Sequence, residues 1–121
     1  MRRLAAGFAA LTVAGGAGVG AASAHHSFAM FDQTRRVPLT GVVKEFQWTN
    51  PHSWVQLTVA GDDWSIEALS PNVLGRQGWK RNTLKPGDKV TVVINPLKDG
   101  SKGGNLVSVT LADGTTLGGG A

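Results

Sequence analysis

Cysteine is missing from this chain, and so is tyrosine. Without cysteine there are no disulfides, no thiolate metal sites, no iron–sulfur clusters, no cysteine nucleophile and no lipid anchor on cysteine. Charged residues make up only 17% against 41% apolar, which excludes a disordered polyelectrolyte. No basic block stands beyond the first residues, so nucleic acid is not an expected partner. No internal repeat is present. With 121 residues there is room for one core and not for two catalytic lobes.

The one long uncharged run lies at the amino terminus. Arg2 and Arg3 form a positive start, Leu4 to Gly20 carries no charge, and Ala22-Ser23-Ala24 ends the segment. That is the pattern of a signal peptide, cut after Ala24. Residues 1–24 are therefore expected to be a cleaved address, by the general or the twin-arginine route. The protein is expected to be periplasmic or secreted, with no stable membrane insertion after cleavage. Losing Arg2 and Arg3 lowers the formal charge by two from +4. The mature chain divides into an arm over 25–36, a β-domain over 37–117 and a flexible tail over 118–121.

Within the β-domain, residues 37–48 alternate in period two and are rich in β-branched and aromatic side chains, as a strand requires. Val37, Leu39, Gly41, Val43, Glu45 and Gln47 fall on one side; Thr40, Val42, Lys44, Phe46 and Trp48 fall on the other. Gly41 marks a bulge or bend. Thr49-Asn50-Pro51 breaks the strand. Residues 53–60 and 64–69 follow as strands around a Gly61-Asp62-Asp63 turn. Ser70-Pro71 starts a short helix, with a capping hydroxyl and proline at the first helical position. Lys85-Pro86-Gly87-Asp88 is a type II turn. Strands over 89–95 and 105–111 complete five, and Ala112-Asp113-Gly114-Thr115 turns toward a short terminal strand. Three strands, a helix and two strands is the order of the OB-fold, a five-stranded antiparallel barrel. The rival is a small β-sandwich.

Few residues could carry chemistry. After cleavage His25 would offer an amine and an imidazole on one residue, a chelate suited to copper(II). His26 adjoins it, and His52 is the third histidine of the chain. The arm, folded back along the first strand, has the reach to set His25 or His26 beside His52. Phe28, Met30 and Phe31 give the arm an apolar stripe for docking, and Met30 would add a soft sulfur for copper(I). The expected metal ligands are thus His25, His26 and His52, with copper as the cofactor; otherwise these histidines are structural and no cofactor is needed.

Trp48, Trp54, Trp64 and Trp79 read first as core. The functional alternative is an aromatic platform, with Trp48, Asn50 and Trp54 binding a ligand or protein partner. Arg76, Lys80, Arg81 and Lys85 form a local basic patch near the helix end, a solvated face or a partner site. Glu45 and Glu67 fall on strands without visible partners. No catalytic motif is found, so a non-catalytic monomer is expected.

The segments Ala24-His25-His26-Ser27-Phe28 and Phe46-Gln47-Trp48-Thr49-Asn50-Pro51-His52 resemble the DUF6152 family of small exported bacterial proteins of unknown function. Ser70-Pro71-Asn72, Arg76-Gln77-Gly78-Trp79 and Leu84-Lys85-Pro86-Gly87-Asp88 extend the resemblance over about residues 24–117. It implies secretion and a small β-barrel, and transfers no mechanism. It also implies that the His-His pair and the Asn-Pro-His segment belong to the family's pattern, as a metal site or as a packing corner.

Overall fold

A computed structural model describes residues 28–119; the expected leader over 1–24, His25 and His26 lie outside the described residues. After a 3-10 turn at Phe28–Met30 come β1 (Val37–Gln47), β2 (Trp54–Val59), β3 (Asp62–Glu67), helix α1 (Pro71–Arg76), β4 (Lys89–Pro96), β5 (Gly103–Thr110) and β6 (Thr116–Gly118). The strands hydrogen-bond in the order β3-β2-β1-β4-β5, and β3 also pairs with β5. That last pairing closes a five-stranded barrel with the OB order, so the sandwich is excluded. The closing pair is parallel, with Ser65, Ile66 and Glu67 opposite Gly103, Gly104 and Asn105, while the other four pairings of the barrel are antiparallel. β6 takes the part of the β5 edge that β3 leaves, opposite Ser108–Thr110.

Val55, Leu57, Ile66, Val92, Ile94, Leu106 and Val109 fill the barrel with no exposed surface. Each such burial is worth about 1.5–3 kcal/mol. Leu74 of α1 and the buried Trp79 belong to the same cluster. The Trp79 indole donates to the Gly118 carbonyl at 2.8 Å, so its polar edge is satisfied. Helix α1 begins as expected: the Ser70 hydroxyl accepts from the Val73 amide at 3.4 Å, and proline occupies the first turn. Gly118 and Gly119, expected to open a flexible tail, are held by the fold. Gly118 ends β6, and the Gly119 amide donates to the Val107 carbonyl at 3.1 Å.

Two local expectations are corrected. First, the bulge in β1 lies between Val43 and Glu45, not at Gly41. The extra residue reverses the side-chain phase, so Phe46 and Trp48 pack on the same core as Val43, while Glu45 pairs with Gln56 on the outer face. Gly41 has a different purpose: a Cβ there would collide with the Thr58 carbonyl oxygen on β2. Second, the β2–β3 turn is Ala60-Gly61, with φ of 50° and 85°, and β3 already starts at Asp62. Two successive positive φ values match the twist of a tight hairpin. The register then pairs Trp54 with Glu67.

The arm also takes its own route. Its described part docks on the β4–β5 hairpin, not along β1. Phe31 is buried and bridges to Leu97. The Asp32 amide donates to the Pro96 carbonyl at 2.8 Å, and the Lys98 amide to the Met30 carbonyl at 3.0 Å. The Asn95 side chain donates to the Arg35 carbonyl at 2.7 Å. The Thr34 hydroxyl and amide both donate to Asp32, and the hydroxyl bond chiefly holds that carboxyl below its ordinary value of 3.8.

Candidate functional site

The corner between β1 and β2 fixes His52. The Asn50-Pro51 bond is cis, and the Thr49 hydroxyl donates across the corner to the His52 carbonyl at 2.7 Å. Ser53 then exchanges backbone hydrogen bonds with the residues just after β3, giving its amide to Leu69 and accepting from Ala68. Its hydroxyl is buried and has no partner among the described residues. This ladder sets the His52 ring against β3. Nδ1 lies 3.3 Å from the Ala68 carbonyl oxygen and 3.4 Å from Oε1 of Glu67. Both neighbours accept, so in the neutral ring Nδ1 carries the proton and the lone pair belongs to Nε2. Histidines that bind metals are commonly oriented in this way, by a carbonyl or carboxylate on the other nitrogen.

Glu67 is buried, which its position in the strand does not foretell. Val55, Leu57 and Ile66 point into the barrel, so Trp54 and Glu67 face outward. Glu67 is covered because the arm lies over this part of the wall. Between arm and wall is a cavity of about 150 Å³, lined by Met30 and Phe31 from the arm, Trp54 and Glu67 from the wall, and Leu97 and Lys102 from the β4–β5 hairpin. The Lys102 ammonium is held 3.0 Å from Asp62. One end of the barrel thus gathers His52, a buried carboxylate, a tryptophan and the beginning of the described arm.

Of the residues singled out from sequence, His52 and Trp54 lie at this end. Trp48 does not share a platform with Trp54: it packs inward, edge-on to Phe46 with ring centroids 5.7 Å apart. Asn50 is exposed at the cis-proline corner. His25 and His26 fall outside the described residues. Among the described residues no three of histidine, aspartate and glutamate gather as metal ligands. Glu67 was not legible as a site residue, because a turn at Gly61-Asp62-Asp63 gives the wrong partner. Counting outward from Ala60-Gly61 would have paired it with Trp54.

The fold and this corner define the class, a small OB-type barrel with a docked amino-terminal arm. Within that class, the chain belongs to DUF6152, a family of unknown function, which it matches over residues 13–106. No curated protein and no solved structure matches it. No helix among the described residues is long and apolar enough to cross a membrane.

Proposed function

We propose that this is an exported, non-catalytic copper-binding protein that handles or senses the ion. His52 is the ligand fixed by the barrel. The amine and imidazole of a mature amino-terminal His25, with His26 beside it, supply the remaining nitrogens. The observation that carries this reading is the setting of His52. Its Nδ1 lies 3.3 Å from the Ala68 carbonyl oxygen and 3.4 Å from the buried Glu67 carboxylate, the kind of support that orients metal-binding histidines. The arm supports it as well, since Met30 lines the same cavity as Glu67 and His25 precedes Phe28 by only three residues. Three residues span at most about 11 Å of chain.

Native mass spectrometry of the protein exported by bacteria grown with trace copper and zinc tests this. The expected species starts at His25 and carries one copper that survives a mild chelator. His52→Ala and Glu67→Gln should each weaken copper binding by about tenfold or more. A free amine beside two imidazoles binds copper adventitiously, so unchanged affinity in His52→Ala overturns the shared site. A metal-free protein, or one starting elsewhere, overturns the reading altogether. The open groove between Lys44, Gln56, Asp63 and Trp64 then becomes the face to screen for a ligand or partner.

A further inference from the structure

Sulfur is scarce in this chain. There is no cysteine, and the only methionines are Met1 and Met30. If the leader is cleaved, Met30 is the one sulfur left, and it lines the cavity that also holds Glu67 and Trp54. We propose that this cavity binds a soft monovalent cation, copper(I) or its redox-inert equivalent silver(I). The Met30 thioether is the ligand, the Trp54 indole the π-neighbour and Glu67 the counter-charge. This deepens the copper reading and uses donors other than the amino-terminal nitrogens.

Three features select a monovalent soft ion over a hydrated dication. Thioether sulfur prefers copper(I) to harder divalent ions. The charge balance is single: Lys102 is the other charged group in the wall, and its ammonium is matched by Asp62 at 3.0 Å. That leaves the one carboxylate of Glu67, itself buried to 5% exposure and 3.4 Å from the His52 ring. Finally, the rest of the lining is largely apolar. The cost of stripping water from an ion rises with the square of its charge, so a dication would be penalised about four times as heavily as a monocation. An indole face offsets part of the cost for a desolvated cation. Gly103 and Gly104 in the same wall are not there to make room for the ion. A Cβ on Gly103 would sit 2.7 Å from the Ser65 carbonyl oxygen, and one on Gly104 2.5 Å from that of Asn95, so both serve strand contact.

The test is a silver nitrate titration of the exported protein in chloride-free buffer, read by tryptophan emission and by equilibrium dialysis. One silver ion should bind per chain and quench part of the emission. Met30→Leu, a volume-conserving swap, should weaken silver binding by about tenfold or more while leaving copper(II) binding unchanged. Trp54→Phe should still bind silver but lose the quenching, which keeps the proposal testable should Met30→Leu fold poorly. Silver binding that is absent, or equal in Met30→Leu and wild type, overturns the proposal, as does quenching that survives in Trp54→Phe. A wild-type protein that binds copper(II) but shows no silver effect sinks this site alone. Loss of copper(II) binding with the silver effect intact sinks the amino-terminal reading and leaves the cavity standing.

Discussion

Ala60 holds φ of 50°, where an L-residue's Cβ crowds the backbone and where Asn or Gly is preferred. The hairpin imposes this conformation, because only the primed turn matches the twist of β2 and β3. Ala60→Asn should therefore stabilise the protein by about 1 kcal/mol, raising the melting temperature by roughly 4–8 °C in a domain of this size. A thermal melt with no gain would show that the turn is not strained. His52 illustrates the same scale in a different way. Its identity is plain in the sequence, but its tautomer follows from the Ala68 carbonyl and Glu67, sixteen and fifteen residues away.

Among the elements, the arm is the least predictable and the most consequential. Its apolar residues Phe28, Met30 and Phe31 announce docking, yet nothing in their pattern names the surface. Only Phe31 is buried; Phe28 and Met30 are each 43% exposed. The arm is thus tied down by one aromatic side chain and a few backbone bonds to the β4–β5 hairpin. Phe31→Ala should release it, at a cost bounded by about 3–5 kcal/mol for a buried phenylalanine. Hydrogen exchange should then show lost protection at the Asp32 and Lys98 amides, with the β2 and β4 amides unchanged. Equal loss throughout would mean that arm and barrel unfold as one unit. Strand β1 was legible as a strand but not in its phase, because one extra residue after Val43 moves Phe46 and Trp48 to the core side. Alternation cannot locate such a residue when both faces carry apolar groups, as Val42 and Val43 do here. The start of helix α1 was legible, since Ser70 and Pro71 act on their own first turn.

For the whole molecule, closure of the barrel is the decisive event, and it depends on close backbone approach. At Gly104, on the β5 stretch that pairs with both β3 and β4, an added Cβ would lie 2.5 Å from the Asn95 carbonyl oxygen and 2.8 Å from Ile94 Cδ1. Gly104→Ala should destabilise the protein by about 1–3 kcal/mol. Gly75→Ala, in α1 with nothing within 4 Å of the added atom, should instead stabilise it by about 0.5–1 kcal/mol. Denaturant melts of the two variants check the opposite signs; the same sign in both would show that crowding at the closing strands is not what Gly104 relieves. The sequence by itself determined the strands, the helix start, the type II turn and the OB order, because period, capping and turn chemistry act over a few residues. Tertiary structure alone decided the phase of β1, the parallel β3–β5 closure, the route of the arm and the burial of Glu67. Each of those is settled by which surfaces meet, and residues far apart in the chain carry no local mark of their eventual partner.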